Sequence, residues 1–411
     1  MKIAIINTYA HGGAGTAAIR TTEALRSIGH DAKLLVREGH STEIIKAFPN
    51  KRIAKIPFIA ERLTFLPFEH DKSVRFSFSP ANFGLDLRCN SLVQQSDAIH
   101  LHWINQGFLG LKNIEQLTKM NKPVVWTLHD MWAFTGGCHY SRECNHFETG
   151  CGNCFFLKKP APNDLSYKVL HKKIEHFSNK IKFTTPSEWL AKIARTSFLL
   201  KNADIQAIPN PIDTSFFKPI SKSEVLQERN KLGIPVGSKV LLFVAMNISE
   251  IRKGFVFLKL ALQKLKENNP NSKIELLVLG KCDTKVLESL PFPSTALGLV
   301  NNSREMRKYY AVADAFVIPS LEDNLPNTVM ESMSCGTPVI GFETGGIPEM
   351  VDHQVNGFIA QQKDIEGLAK GIFEVMEKEE NLDKMRGSAR KKVVANYSYS
   401  IVAGNYEKLY R

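Results

Sequence analysis

No apolar run in this 411-residue chain is long enough to cross a bilayer, which sets aside a membrane-spanning protein. The opening Met1-Lys2-Ile3-Ala4-Ile5-Ile6-Asn7 is too short an apolar stretch for a signal peptide and reads as a first strand, so a cytoplasmic protein is expected. There is no RNP-like segment and no block of basic residues, which leaves nucleic acid the weakest partner class. Cysteine is sparse: seven residues without a leader do not make a disulfide scaffold. A metal-binding Asp-x-Asp is missing. So is an ordered Gly-x-Gly-x-x-Gly with an acidic residue about 20 positions on, which argues against NAD or FAD. What is present is an ordinary globular composition, 43% hydrophobic and 23% charged, in a chain too long for one core. Two domains are expected. The formal net charge of +12 favours anionic partners, either nucleotide phosphates or anionic lipid headgroups.

Strand and helix patterns alternate throughout, which predicts α/β units with parallel, doubly wound sheets. In the first half, strands are expected at 2–7, 32–36, 98–102, 124–128 and 183–185, with an amphipathic helix over 17–28. In the second half, strands are expected at 240–245, 274–279, 315–319 and 338–341. Helices there fall at 304–312 and 329–335, and Gly336 stops the last. The stiff Pro209-Asn210-Pro211 marks the boundary, giving domains 1–208 and 209–394, with a C-terminal helix over about 395–411. Residues 40–95 are harder to read. Pro57 can start a helix with Phe58, Ile59, Leu63 and Leu66 on one side and Lys51, Arg52, Lys55 and Arg62 nearby. That is either a basic amphipathic patch for a membrane surface or an ordinary helix packed on the sheet; the second is the commoner fate of short amphipathic helices.

The chemistry concentrates between Pro319 and Val339. A strand ends, the acidic turn Leu321-Glu322-Asp323-Asn324-Leu325-Pro326 follows, then a short helix begins at Asn327-Thr328 and a glycine stops it. The free N–H groups of such a helix start can hold a diphosphate. Asp323 and Glu331 stand eight residues apart around it. This segment resembles the acidic motif of the family 4 retaining glycosyltransferases, the glycosyl transferases group 1, which have the GT-B fold. The resemblance implies two facing Rossmann-like domains with an interdomain cleft. The N-terminal domain would bind the acceptor and the C-terminal domain the nucleotide sugar, with the last helix packing back on the first domain. It implies that Glu331 holds the donor ribose, that Asp323, at a position more often glutamate, contacts the donor sugar, and that Asn324, Leu325, Asn327 and Thr328 line the donor.

Other segments fit the same frame. Met246-Asn247-Ile248-Ser249-Glu250-Ile251-Arg252-Lys253-Gly254 resembles the family's cationic loop, with Lys253 on the donor phosphates. Asn247 replaces the usual arginine there, and Arg252 is the candidate substitute. Gly12 and Gly13 would approach the phosphates after the first strand. His129, ending the strand Val124-Val125-Trp126-Thr127-Leu128, matches a histidine that contacts the donor sugar. Asp130 could orient it or bind an acceptor hydroxyl, and His102 resembles a position near the acceptor. Taken together, the resemblance implies a retaining transferase of hexosyltransferase type. It would use a nucleotide-diphosphate sugar, UDP or GDP linked, with no redox cofactor and no catalytic metal. Its acceptor would be a glycan or lipid-linked glycan in polysaccharide or cell-envelope assembly, at the inner face of the cytoplasmic membrane. A nucleotide-sugar 2-epimerase of the same fold and a non-catalytic sugar-nucleotide-binding subunit remain as alternatives. Separately, Cys138, Cys144, Cys151 and Cys154 fall within 17 residues, a density that suits a structural zinc as well as buried free thiols or a redox pair.

Overall fold

The structure is a computed structural model and describes residues 1–300, 302–377 and 379–411. The chain forms two compact units, Met1–Pro211 with Tyr399–Arg411, and Ile212–Ser398. Among the described residues no helix is long and apolar enough to cross a membrane.

The first unit is built on seven strands: β1 (Lys2–Ile6), β2 (Asp31–Val36), β3 (Ile45–Ala47), β4 (Ala98–Leu101), β5 (Val124–Thr127), β6 (Ile181–Thr185) and β7 (Ile205–Ala207), in the order β3-β2-β1-β4-β5-β6-β7. All pairings are parallel. Alternation along β1 divides the core. Ile3 and Ile5 pack with the helix α1 (Gly12–Ser27) and the helix Tyr399–Glu407, while Ala4 and Ile6 face the larger cluster under the other helices. Covering both faces explains why the inner strands β1, β4 and β5 are buried on both sides rather than alternating with exposed residues.

The second unit repeats the plan with β8 (Lys239–Asn247), β9 (Ile274–Lys281), β10 (Ser294–Gly298), β11 (Ala315–Ile318), β12 (Val339–Phe342) and β13 (Gly357–Ala360). Their order is β10-β9-β8-β11-β12-β13, again parallel. Leu241 and Phe243 fill one side of this sheet, Val240 and Leu242 the other.

Three local expectations change. α1 begins at Gly12 rather than at residue 17, because extended His11 already ends the loop, so both glycines lie in its first turn. The final segment is two helices, Glu379–Tyr397 and Tyr399–Glu407, and the chain passes from the second unit to the first between them. Third, α2 (Lys51–Phe65) begins at Lys51 rather than Pro57, since the Asn50 side chain accepts the N–H groups of Arg52 and Ile53. Nor is α2 an ordinary core helix, because only Ala54, Glu61 and Phe65 of it are buried.

Candidate functional site

In each sheet the strand order reverses at one place, between β1 and β4 in the first unit and between β8 and β11 in the second. Loops leaving the carboxyl ends of such neighbours run in opposite directions and leave a crevice, the usual ligand position in open parallel sheets. The sequence candidates fall at these two places.

In the second unit, β8 runs into a single 3-10 turn, Ile251–Lys253, which Gly254 closes in the left-handed conformation at φ 71°. A Cβ on Gly254 would stand 1.8 Å from the Pro319 carbonyl oxygen, so only glycine lets this loop lie against the end of β11. The two loops are stitched by Leu321 N–H to Arg252 O (2.8 Å) and Arg252 Nη1 to Glu322 O (2.9 Å). The result is an ion pair, Lys253 Nζ to Asp323 Oδ2 at 2.7 Å, with Arg252 Nη1 3.8 Å from the same oxygen. Burial pulls the Asp323 carboxyl upward, but Lys253 and then Arg252 hold it below its ordinary value. Gly345 supports the turn from behind; a Cβ there would lie 1.6 Å from the Asp323 carbonyl oxygen.

Beside this pair starts the helix Asn327–Ser334, with Pro326 as its N-cap. No side chain caps it and no acidic residue lies in its first turn, which leaves that end suited to an anion. Glu331, one turn in and nearly buried, accepts the Tyr310 hydroxyl at 2.9 Å. Asn324 is buried, Leu325 packs into the core, and Asn327 and Thr328 are partly exposed at the helix start. Asn247 is exposed, and its side chain accepts the Ser249 N–H at 3.1 Å.

In the first unit the equivalent place is mainly aromatic, with its charged groups, Asp130 and Arg37, bonded to the Trp103 and Tyr9 rings. His102, just after β4, and His129, after β5, share a hydrogen bond between Nδ1 and Nε2 of 2.8 Å. Burial pushes His129 down to about 4 and His102 well below its ordinary value, so both imidazoles are neutral at neutral pH. His100 behind them bonds Tyr410 and Thr127, each at 2.7 Å, and ties the segment after the last helix to the sheet. The Asp130 oxygens accept Trp103 Nε1 (2.9 Å), His139 Nδ1 (2.7 Å) and Trp132 N–H (2.8 Å), and its charge draws the His129 value upward against burial. Tyr9 stacks between His11 and Trp103, with ring centroids 4.9 and 6.3 Å away, and Gly12 and Gly13 follow, exposed.

Residues 11–216 match the family described as Glycosyltransferase Family 4, and residues 225–392 match Glycosyl transferases group 1. The chain belongs to this glycosyltransferase family. An uncharacterized glycosyltransferase of Methanocaldococcus jannaschii is 26% identical over 328 residues, 78% of this chain and 76% of that protein. The putative colanic acid biosynthesis glycosyl transferase WcaC of Escherichia coli is 25% identical over 64% of each chain. Among solved structures, Anabaena HepE, crystallised with UDP and glucose, superposes with a TM-score of 0.64 at 16% identity, covering 99% of this chain and 98% of that one. Two parallel-sheet, Rossmann-like units in this glycosyltransferase place it in the GT-B class.

Sequence reasoning gave Lys253 and Asp323 separate tasks, whereas the fold pairs them. It also passed over Ser320, whose fully buried Oγ just after β11 has no hydrogen-bond partner among the described residues, and Tyr310, which holds Glu331. A serine or tyrosine in an apolar run carries no local signal of either role. Of the three readings open for the cysteine cluster, structural zinc finds no assembled ligand set: among the described residues, no three His, Cys, Asp or Glu side chains are placed to hold a metal ion. Cys138, Cys144, Cys151 and Cys154 instead line one small cavity whose walls include Phe78, Phe147 and Phe156, and Gly136 N–H donates to the Cys151 sulfur at 3.2 Å. Burial pushes Cys138 and Cys154 up to about 12 and Cys151 to about 11, which keeps them as neutral thiols.

Proposed function

We propose that this glycosyltransferase moves a sugar from a nucleotide-diphosphate donor, UDP or GDP linked, to a glycan or lipid-linked glycan acceptor. Retention of anomeric configuration is part of the proposal, as is a place in polysaccharide or cell-envelope assembly at the cytoplasmic membrane face. The observation that carries it is the cluster at the second unit's switch point: Lys253, Arg252, Asp323 and the uncapped start of the helix Asn327–Ser334. A departing nucleoside diphosphate needs fixed positive charge and N–H donors, and this cluster supplies both. Lys253 would exchange part of its bond to Asp323 for the phosphates, freeing Asp323 toward the sugar. Asn324, Leu325, Asn327 and Thr328 would line the nucleotide, with Glu331 on the ribose. Gly12 and Gly13 would approach the phosphates from the first unit, and neutral His129 would meet the donor sugar. The acceptor would lie against the first unit. HepE's complex with UDP and glucose, and WcaC's name, support a nucleotide-sugar donor and a glycan product.

The test is a screen of UDP-, GDP-, ADP- and dTDP-sugars with membrane extract as acceptor, following released nucleotide and the fate of the sugar. Nucleotide release from one donor, lost in Glu331→Ala, is expected. A changed sugar released without acceptor would replace the transferase by a 2-epimerase.

A further inference from the structure

α2 turns its larger side chains the wrong way for a core helix. At 100° per residue, Ala54, Phe58, Glu61 and Phe65 form one face, and Ala54, Glu61 and Phe65 are buried. The opposite face holds Ile53, Ile56, Ile59, Leu63 and Leu66, between 49% and 63% exposed. Phe68 just beyond the helix and Phe76 farther on are also exposed, and the Phe76 ring stacks on the Arg62 guanidinium at 5.3 Å. Single exposed apolar residues are normal on a protein surface, but a continuous stripe along four helical turns is not.

The charges around this stripe are sorted by sign. Lys51, Arg52 and Lys55 are exposed at the start of the helix. At its far end Lys158 N–H bonds the Phe68 carbonyl at 2.8 Å, which places exposed Lys158 and Lys159 beside Phe68. Both carboxylates between Lys51 and Phe68's neighbour Glu69 are turned inward: Glu61 is 3% exposed, and Glu69, 7% exposed, is bound by Arg62 and Arg75 at 2.8 and 2.7 Å. The outward surface of the helix is therefore aliphatic and aromatic with cationic residues at both ends, and exposed Asp71, paired with His70, stands just past Phe68.

We infer that this face of α2, continued by Phe68, lies in the interfacial layer of an anionic lipid bilayer. A protein groove would have to match the stripe's shape, whereas a bilayer needs only apolar depth and negative charge around it. Those two requirements are what the helix presents. The inference rests on the proposed reaction only for its purpose, that of bringing a lipid-linked acceptor to the first unit; the docking stands on α2 alone.

The experiment is co-sedimentation of the full chain with phosphatidylcholine vesicles, with and without phosphatidylglycerol. The wild type should partition onto the anionic vesicles. Ile56→Asp with Leu63→Asp should weaken that at least tenfold, and Lys51→Glu with Arg52→Glu and Lys55→Glu should remove the preference for anionic lipid. Because these side chains are exposed, thermal midpoints and nucleotide release with a soluble acceptor should stay as in the wild type. Wild-type protein that ignores anionic vesicles, or aspartate variants that bind them as well as wild type, would overturn the inference. So would a wild-type dimer that the aspartates split and that never binds lipid, since a second copy would then own the face. Vesicle binding without turnover of any nucleotide sugar would instead retain α2 and remove the transferase.

Discussion

The two sheets of this molecule share a topology and differ in what stands at the same point of it. At the β8/β11 switch the side chains are ionic, with Lys253 and Arg252 against Asp323 and Glu331 one helical turn away. At the β1/β4 switch rings dominate: Tyr9, Trp103, and the His102–His129 pair that burial keeps unprotonated, with Arg37 and Asp130 tied up in bonds to Tyr9 and Trp103. Diphosphate chemistry needs fixed charge that does not reorganise. Sugar rings are bound by flat apolar faces and by neutral donors and acceptors. Under the proposed function one fold would support two kinds of recognition, with the strand ends, not the sheets, deciding which.

The largest expected effect breaks the ionic side. Lys253→Met should lower kcat/KM by about 10²–10³-fold, the usual loss when a fixed electrostatic contact to the leaving group goes. It should also destabilise the second unit by roughly 3 kcal/mol, because Asp323, 13% exposed, loses its nearest cation. The double variant Lys253→Met with Asp323→Asn should recover stability in urea denaturation without recovering activity. Recovery of both would show the pair to be structural only.

The second prediction separates the units by pH. His129 titrates near 6.5 in an unfolded chain but at about 4 when folded, and His100 at about 3; His102 lies well below its ordinary value. Between pH 6.5 and about 4.5 the unfolded chain binds more protons at these three groups, so their contribution is full above 6.5 and falls as pH drops. Glu61, pushed up to about 7 by burial, opposes them with one group's effect over the same window. Three groups against one predict that the first unit loses stability as pH falls from 6.5 toward 5. In the second unit the Asp323 carboxyl is held below its ordinary value, so its contribution is lost only in stronger acid. Hydrogen exchange resolved by segment should show β1, β4 and β5 opening first at pH 5; equal opening of β8 and β11 would contradict the assignment. At the third level, Glu331→Gln keeps an acceptor for Tyr310 but loses the charge, and should weaken binding of the productive nucleotide about tenfold by calorimetry.

The legible parts of this protein are those in which sequence neighbours are also neighbours in space. Strands such as β8 and β11 are continuous apolar runs, and the turn from Glu322 to Pro326 has its own residue signature, so the sheets and the acidic segment could be read directly. What could not be read depends on distance along the chain. Lys253 and Asp323 are 70 positions apart, His102 and His129 are 27, and His100 finds Tyr410 across 310. α2 misled for a different reason. Its amphipathic period is real, but period alone does not say which face turns inward, and here the face carrying Glu61 does.

The smallest effect would sharpen the neutral side. Ser79 Oγ, His139, Asp130 and Trp103 form one chain of hydrogen bonds of 3.1, 2.7 and 2.9 Å. The order of serine, imidazole and carboxylate invites comparison with a nucleophilic triad, but Ser79 is 4% exposed and His139 8%, so no substrate carbonyl can reach them. The free end of the chain is the half-buried Trp103 indole, and the function consistent with that is to fix the ring's plane. His139 holds the Asp130 carboxyl below its ordinary value against burial, so at neutral pH it accepts from both rings. Asp130→Asn has the same shape but puts an N–H₂ toward groups that themselves donate, so at least one bond is lost and the indole gains freedom. If the first unit holds the acceptor, KM for acceptor should rise a few-fold while KM for the donor stays put, and Ser79→Ala, one link farther away, should do the same more weakly. A change in the donor KM instead would move Trp103 to the other substrate, and the contrast between a charged donor side and a neutral acceptor side would have to be redrawn.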